Sequence, residues 1–411
     1  MSRGITELTG SSVPSRADIV VIGGGLVGLA TAFYASRANL GEVVLLERND
    51  RLVGLTSQAA AAGFRLEWDA VENIEMVRRS IETFKHFDEV IGISGYSIDL
   101  QLSGYLFLSS ATGEARRESR FAERVSWWHQ HGLNDVELLD GNEARKRWSF
   151  LNDSVQAAHF RQDEGYLNVP DLARGFLLGG GFRTFLNAAV NRIETIGGRV
   201  SGVRLADDSL IQTATVVIAA GPFSAELAAT AGAELKIRNK RRHALIIPLA
   251  ASVVDPRWPV VLDSELGLYW RPRREGHTTS GIYIGWERAL PRDQHNSAPA
   301  DPVPVDQRYL DAVKQHGQRL NRFWGDISFD NVIWRTGQYT SPDTDDGRPI
   351  IGAHPAVGGL FINTAYEGRG VMASPGGAEL LVGLISTGTG TDARFSVRME
   401  DRPPQPDLMV L

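Results

Sequence analysis

The sequence contains no cysteine among its 411 residues. This absence excludes disulfide bonds, thiolate metal sites, cysteine nucleophiles and any cofactor attached through a cysteine. An excess of positive charge is also missing, because the formal net charge is −6, and nucleic-acid binding is therefore not expected. No apolar run approaches the roughly 20 residues of a membrane-spanning helix. The first sixteen residues lack the apolar core of a signal peptide, so we expect a cytoplasmic protein.

The most informative segment is residues 17–47, which read ADIVVIGGGLVGLATAFYASRANLGEVVLLE. A short apolar run leads into Gly23-x-Gly25-x-x-Gly28, a helical pattern follows, and a second apolar run ends at Glu47. This order of strand, glycine turn, helix, strand and acid is the dinucleotide-binding fingerprint in its full context. The glycines permit a tight turn, close approach of a pyrophosphate and close packing of helix on strand, and the acid accepts hydrogen bonds from a ribose.

Hydrophobic periodicity outlines the rest of the chain. Apolar residues at helical spacing predict helices over about 71–91, 114–131, 306–323 and 375–386. Apolar runs predict strands near 103–108, 216–221, 243–248, 266–271, 281–286, 329–335, 349–352 and 359–363. One βαβ unit, then mixed strands, then a return to βα patterns predicts an α/β fold with an inserted, mostly antiparallel domain.

Five segments together resemble a known family. They are VVIGGGLVGLATAF…VVLLER, GLTSQAAAAGFR, TATVVIAAGPFS, GLYWRP…GIYIGW and WRTGQYTSPDTDDGRPIIG…LFINTAYEGRGVMASPGGAELLVGLI. In this order they resemble the FAD-dependent amine and amino-acid oxidoreductases, the family of D-amino-acid oxidase, glycine oxidase, sarcosine oxidase and D-arginine dehydrogenase. The single dinucleotide fingerprint agrees with one permanently bound flavin.

The resemblance implies a fold and a domain division. The expected fold class is α/β, with a Rossmann-like FAD-binding domain of the glutathione-reductase type and an inserted, mostly antiparallel β substrate domain. The FAD-binding domain would comprise residues 1–92, 155–240 and 328–398. The substrate domain would comprise 93–154 and 241–327, and 399–411 would form a C-terminal tail.

The resemblance also implies which residues hold FAD. The ADP half would contact Gly23, Gly25, Leu26, Gly28, Glu47 and Arg48; Thr56, Ser57 and Gln58 would approach the pyrophosphate and isoalloxazine; Val190 would offer its backbone to adenine; Gly221 would end a strand beside the phosphates; and Arg369, Gly370, Val371 and Met372 would lie under the pyrimidine edge. Thr336 stands where related enzymes attach flavin through cysteine, and Gln58 lies near where others use a histidine. We therefore expect non-covalent FAD and no metal.

The activity that the resemblance implies is oxidation of the C–N bond of an amino acid or a secondary or N-methyl amine. Hydride would pass to flavin N5 and the imine would then hydrolyse. The partner is a small-molecule amine or amino acid, with a quinone or a protein as a candidate electron acceptor. Two alternatives stay open: an FAD-dependent 2-hydroxy-acid dehydrogenase, and an FAD-bearing assembly or interaction protein with little turnover.

Three positions bear on a substrate carboxylate. Arg65 falls where sarcosine-oxidase-type enzymes hold an arginine against it, and a guanidinium suits that task because its planar fork binds a carboxylate bidentately. The alternative for Arg65 is a structural ion pair. Met372 replaces a lysine that shares the carboxylate in monomeric sarcosine oxidases, and Arg369 either compensates for this loss or is structural.

Tyr283 falls where those oxidases carry the lysine that activates oxygen. A fixed cation stabilises developing superoxide electrostatically, which tyrosine does not do, so a dehydrogenase is expected rather than a fast oxidase. Tyr269 and Glu287 are expected in the wall of the substrate pocket, where Glu287 would select a basic substrate or else be solvated.

Overall fold

The computed structural model of the chain describes residues 12–110, 115–250, 252–276, 278–286, 297–319, 321–344 and 346–404. The strands are β1 (Ile19–Ile22), β2 (Val43–Leu46), β3 (Gly63–Phe64), β4 (Tyr105–Ser109), β5 (Glu137–Asp140), β6 (Ala157–Arg161), β7 (Gly165–Tyr166), β8 (Arg183–Phe185), β9 (Val190–Ile196), β10 (Arg199–Leu205), β11 (Leu210–Gln212), β12 (Val216–Ile218), β13 (Ile237–Pro248), β14 (Val260–Asp263), β15 (Leu268–Glu275), β16 (Thr278–Trp286), β17 (Ile333–Pro342), β18 (Ile350–Ala353) and β19 (Leu360–Thr364). The α-helices are α1 (Leu26–Arg37), α2 (Val71–Lys85), α3 (Phe87–Ile91), α4 (Ala115–Gln130), α5 (Gly141–Arg147), α6 (Val169–Gly179), α7 (Ser224–Thr230), α8 (Arg308–His316) and α9 (Gly370–Thr387).

A six-stranded sheet in the order β18-β19-β12-β1-β2-β8 forms the first layer. Its strands are parallel except β18, which runs antiparallel to β19. Helices α1 and α9 pack on one face, and α7 with the three-stranded sheet β11-β10-β9 covers the other. Because both faces are covered, β1 and β2 are continuous apolar runs that are fully buried.

An eight-stranded sheet in the order β17-β13-β16-β15-β14-β4-β6-β5 forms the second layer. Its strands pair antiparallel except for the parallel pair of β14 with β4. An aromatic core that includes Phe150, Trp270 and Trp324 lies against one face of the sheet, with α8 on its outer side. The predicted fold class, a Rossmann-like domain beside a mostly antiparallel one, is confirmed.

The strands of the six-stranded sheet all come from segments predicted for the FAD-binding domain. By contrast, β6 and β17 pair within the eight-stranded sheet, although the predicted limits assign 155–240 and 328–398 to the cofactor. Both strands lie next to chain crossings between the two sheets, where sequence periodicity gives no signal. The domain limits stay a prediction.

The last long helix begins at Gly370, five residues before the predicted start, and runs through Pro375. Proline has no N–H to donate to the carbonyl four residues earlier, here that of Val371. The Ser374 hydroxyl donates to that carbonyl instead, at 3.1 Å. A short 3-10 turn, Glu367–Arg369, leads directly into α9.

Among the residues that the structure describes, no helix is both long and apolar enough to cross a bilayer. No group of three or more histidine and carboxylate side chains in that part of the chain is arranged to hold a metal ion.

Candidate functional site

The first cavity, of about 370 Å³, lies at the carboxyl ends of β1, β2, β12 and β19. Ligands of open α/β sheets bind at this edge. The cavity extends past the first turn of α1 to the first turn of α9. It therefore reaches from one helix N-terminus to the other, an extent that suits a dinucleotide better than a compact ligand.

The glycine turn after β1 has the geometry that the motif predicts. Gly23 has φ +116°, and a Cβ on it would lie 2.5 Å from the Ala219 carbonyl oxygen. A Cβ on Gly28 would lie 1.9 Å from the Gly23 carbonyl oxygen, so helix α1 crosses the turn at a distance that only glycine allows. By contrast, a Cβ on Gly25 would make an ordinary 3.4 Å contact with Ser57 Oγ.

Glu47 closes the turn from the end of β2. Its Oε2 accepts a hydrogen bond from the Gly24 backbone N–H at 2.7 Å, and its Oε1 accepts one from the Asn49 N–H at 2.9 Å. Burial raises the pKa of the Glu47 carboxyl, and these two hydrogen bonds oppose the shift. The carboxylate is thus fixed in place with lone pairs left for the hydroxyls of a ligand.

The N-termini of two helices face the first cavity. Helix α1 begins after Gly25 and helix α9 after Arg369, and neither has a side-chain cap. Leu26 N donates to Ser57 Oγ at 3.2 Å, whereas Gly370 and Val371 line the cavity wall. Uncapped first turns offer N–H groups and positive dipole ends to an anion. These features fit a pyrophosphate near α1 and an electron-rich ring edge near α9.

The predicted cofactor residues divide between the cavity and its surroundings. Those lining the first cavity are Gly23, Gly25, Leu26, Glu47, Arg48, Thr56, Ser57, Val190, Gly221, Gly370 and Val371. Gln58 lines a second cavity instead. Gly28, Arg369 and Met372 line neither, since Gly28 packs against Gly23 and the other two are buried at the start of α9.

Residues 297–306, here called the strap, do not line the first cavity themselves but contact three residues that do. Gln338 donates from Nε2 to Ser297 Oγ at 2.8 Å, which fixes the beginning of the strap. Asp301 in its middle accepts from Arg48 Nη2 at 2.7 Å and from Asn49 Nδ2 at 3.1 Å. Because Arg48, Asn49 and Gln338 all line the cavity, the strap connects its two sides.

Replacing Asp301 with alanine should speed the release of the bound cofactor about 2- to 5-fold, because the change removes a partly exposed ion pair of roughly 0.5–1 kcal/mol. Flavin fluorescence after dilution measures the release rate. Asp153→Ala is the matched control, since Asp153 pairs with Arg322 at 2.9 Å on an exposed surface. Equal release rates in the two variants would contradict a closing role for the strap.

The contact between the end of the strap and His243 should make the stability of the folded protein depend on pH. The Asp306 backbone N–H donates to His243 Nε2 at 2.9 Å, and burial lowers the pKa of His243 to about 4. Unfolded histidine has a pKa of about 6.5, so the unfolded chain binds the proton first as pH falls. Stability is therefore lost between about pH 6.5 and 4, by at most about 3 kcal/mol from this residue.

Urea unfolding at pH 7, 5.5 and 4.5 measures this loss. His243→Gln should lose less stability than the original chain over the same pH range, although buried His159, whose pKa burial also lowers, keeps part of the slope. An unchanged pH slope in the variant would show that His243 is not responsible.

A second cavity, of about 450 Å³, adjoins the first. Val53, Gly54 and Ala60 line both cavities, so the two cavities meet at the turn-rich segment 52–60. The opposite side of the second cavity belongs to the eight-stranded sheet. A ligand in the second cavity would therefore lie next to a group in the first.

Arg271 on β15 is the most unusual residue of the second cavity. It is only 9% exposed, its Nε donates to the Ala61 carbonyl and its Nη1 to the Pro272 carbonyl at 2.8 Å. In the described part of the chain no carboxylate pairs with this guanidinium and Nη2 has no partner. A buried charge without a counterion is costly, so this position favours binding of an anion.

Two tyrosines flank Arg271. Its Cζ lies 4.4 Å from the ring centroid of Tyr166, whose buried hydroxyl has no hydrogen-bond partner among the described residues. Tyr283 lines both this cavity and a small neighbouring one that also includes Tyr269, and its hydroxyl donates to the Ala59 carbonyl. Burial raises the pKa of Tyr283, so its phenol stays a hydrogen-bond donor.

The remaining predicted substrate residues lie elsewhere. Arg65 lines neither cavity, since its Nη1 donates to the Glu67 carbonyl and its Cζ stacks 3.7 Å from the Trp68 ring. Arg369 donates to the Gly347 carbonyl, and its Cζ lies 5.0 Å from the centroid of the Trp68 ring. Both positions favour the structural alternatives. Glu287 lies outside the described residues.

Sequence reasoning missed Arg271 and Tyr166 as site residues. A signal for Arg271 was present, because it follows Tyr269, a predicted wall residue of the substrate pocket, at an interval of two in one strand, so both side chains lie on the same face of that strand. Tyr166 gave no signal, since only the pairing of β3 with β7 brings it against β15.

Comparisons with known proteins agree with this architecture. Residues 18–384 match the model of the protein family described as DAO, FAD dependent oxidoreductase. The chain is 24% identical over 427 residues to FAD-dependent oxidoreductase domain-containing protein 1 of Xenopus laevis, covering 92% of this chain and 81% of that protein. It is 23% identical over 398 residues to glycine oxidase of Pseudomonas putida, covering 90% and 94%. The structure of L-proline dehydrogenase from P. horikoshii superposes with a TM-score of 0.80 at 21% identity, covering 94% of this chain and 98% of that one.

Proposed function

The chain belongs to the DAO family of FAD dependent oxidoreductases, and from this premise we propose that it oxidises the C–N bond of an amino acid, or of a secondary amine that carries a carboxylate. The observation that carries the proposal is Arg271, a buried guanidinium without a carboxylate partner in the described chain, in a cavity that adjoins the cofactor cavity. Relatives named for glycine and proline oxidation support the same substrate class.

The residues of the first cavity fit FAD. Glu47 would accept the ribose hydroxyls, the first turn of α1 would hold the pyrophosphate, and the start of α9 would face the pyrimidine edge. The bound flavin would supply the redox chemistry by accepting hydride. Attachment would be non-covalent, because the chain has no cysteine. Thr336 on β17 stands where related enzymes attach flavin through a cysteine.

The residues of the second cavity would hold the amine. Arg271 would bind the carboxylate through its planar fork, and the unpaired Tyr166 hydroxyl would donate a further hydrogen bond. Fixing the carboxylate would orient the C–H bond toward the cofactor in the first cavity, and orientation of this kind contributes much of a catalysed rate. The apolar side chains of Ile246 and Leu167 in the same cavity would exclude water.

We propose a dehydrogenase rather than a fast oxidase, on the basis of the charges that surround Tyr283. Tyr283 replaces the lysine of oxidases, but Arg271 and Arg335 lie close enough to act on the pKa of its phenol. Two cations therefore stand near this position. A substrate carboxylate bound to Arg271 would neutralise one of them, so less free positive charge would remain to assist oxygen during turnover.

Anaerobic mixing of the FAD-bound protein with a panel of compounds tests the function. Amino acids and N-methyl amino acids should bleach the flavin absorbance, whereas amines of matched length without a carboxylate should do so far more slowly. Bleaching by 2-hydroxy acids alone would assign the protein to hydroxy-acid oxidation. No bleaching by any compound would favour a low-turnover assembly protein. Reoxidation of the bleached sample by air and by a quinone then separates oxidase from dehydrogenase.

A further inference from the structure

The second cavity holds more positive charge than its own acids balance. Its described lining includes the arginines Arg51, Arg271, Arg273, Arg274 and Arg335 and only two acids, Asp99 and Glu275. Arg274 Nε lies 3.3 Å from Asp99 Oδ2, and Arg273 donates to Glu275. Each acid thus has its own arginine, and the other three arginines have no carboxylate partner in the described parts of the chain.

Arg335 and Arg271 extend from the same face of the eight-stranded sheet. Arg271 on β15 is directly opposite Tyr283 on β16, and Tyr283 is opposite Ile246 on β13. Arg335 on β17 is opposite Ala244, which lies two residues before Ile246 on β13. Residues at an interval of two along a strand share a face. Both guanidinium groups also act to lower the pKa of the phenol of Tyr283, whose strand β16 lies between β15 and β17.

The two arginines bracket the cavity floor. Strands β13 and β16 lie between β17 and β15. The distance from β17 to β15 is therefore three strand spacings of roughly 4.8 Å each. Since both arginines line the same cavity, one ligand with two anionic groups would contact both of them. One carboxylate on Arg271 would leave Arg335 without a counterion.

We propose that Arg335 binds a second carboxylate of the substrate, which makes the substrate a dicarboxylic amino acid or an amine bearing two carboxylate arms. The inference rests on the proposed function and specifies the substrate class of the same site. Arg51, which is exposed at the cavity rim, would attract such a dianion toward the opening.

Binding of unreactive acids to the FAD-bound protein tests the assignment without turnover. The probes are the diacids malonate, succinate, glutarate and adipate and the monoacids acetate, propionate, butyrate and valerate. The readout is the change of flavin absorbance that a bound anion causes. The best diacid should bind roughly 10- to 100-fold more tightly than its monoacid, because a charge-assisted hydrogen bond is added, and its length reports the gap between the two guanidinium groups.

Arg335→Gln should remove this preference and leave monoacid affinity within about 2-fold, whereas Arg335→Lys should restore a part of it. The matched control is Arg322→Gln, which removes an arginine that is 57% exposed and paired with Asp153, and which should keep the full preference. Arg335 has no acid partner to leave behind, so Arg335→Gln should fold normally, and its melting temperature checks this.

The outcomes separate this inference from the function itself. Equal affinity of wild-type protein for diacids and monoacids, or an unchanged preference in Arg335→Gln, would overturn the dicarboxylate assignment while the oxidation of simple amino acids stands. Failure of every amino acid to bleach the flavin would overturn the proposed function, whatever the diacids do.

Discussion

Replacing Arg271 with glutamine should raise the KM for an amino-acid substrate by about 100-fold or more, because truncating one partner of a buried charge pair costs roughly 2–5 kcal/mol. Glutamine keeps much of the side-chain volume but loses the charge and the fork. Since Arg271 is the one buried arginine of the second cavity without an acid partner in the described chain, no neighbour on the same strand replaces it. Steady-state kinetics with the best substrate of the bleaching panel measures the effect.

The internal control for this prediction is an amine of equal length without a carboxylate. Its kcat/KM should change little in Arg271→Gln, because it never uses the guanidinium. Arg271→Lys should recover only a part of the affinity, since an ammonium group cannot form two parallel hydrogen bonds to one carboxylate. A KM equal to that of wild type in Arg271→Gln would remove the observation on which the proposed function rests.

Arg65→Gln provides the matched comparison between the two candidate arginines. Arg65 is buried against Trp68, Tyr105 and Phe107, so its loss should lower the melting temperature. The KM should stay near the wild-type value, because Arg65 lines neither cavity. A large rise in KM with unchanged melting temperature would instead favour the role that the family resemblance implied for Arg65.

The cofactor half of the site was predictable because its determinants are local in sequence. Gly23, Gly25, Gly28 and Glu47 fall within one βαβ unit, where strand, turn and helix follow each other directly and backbone sterics fix the geometry. The resemblance to FAD-dependent oxidoreductases is confirmed by the family match over residues 18–384. The individual cofactor contacts stay predictions, although eleven of the predicted cofactor residues line the first cavity.

The lining of the second cavity was not predictable from the sequence, because the residues that form it are distant from one another along the chain. Arg271 meets Tyr166 only through the packing of β15 against the short β3–β7 pair, and Arg335 reaches the same face through three antiparallel pairings. The family resemblance implied that Arg65 binds the substrate carboxylate, whereas in the structure Arg65 is buried in an aromatic cluster. Neither periodicity nor motif spacing contains the strand order that brings these groups together.

The polar segment Lys236–Arg242 illustrates the same limit. As sequence it is a basic run without apolar alternation, yet most of it belongs to the long strand β13. Lys240 is only 8% exposed and pairs with Glu367 at 3.2 Å. Its charge is therefore balanced by a residue more than a hundred positions away, which composition alone does not reveal.

Alanine substitution at two glycines of one motif should weaken FAD binding in both cases but lower the stability of the FAD-free protein in only one. Gly28→Ala places a Cβ 1.9 Å from the Gly23 carbonyl oxygen, so α1 must move away from β1, at a cost of roughly 1–3 kcal/mol or more. We expect a lower melting temperature of the FAD-free protein and loss of bound FAD together. Heating the FAD-free protein and titrating it with FAD measure the two quantities separately.

Gly25→Ala should leave the FAD-free protein as stable as wild type, because the residue has φ −74° and its added Cβ meets Ser57 Oγ at an ordinary 3.4 Å. The same Cβ points into the first cavity, where the backbone would approach the pyrophosphate. Overpacking of roughly 1–3 kcal/mol would then weaken FAD binding by about 10- to 100-fold. Since the folded chain is otherwise unchanged, this loss of affinity reports on the ligand alone. Wild-type FAD affinity in Gly25→Ala would mean that the pyrophosphate does not lie against the first turn of α1.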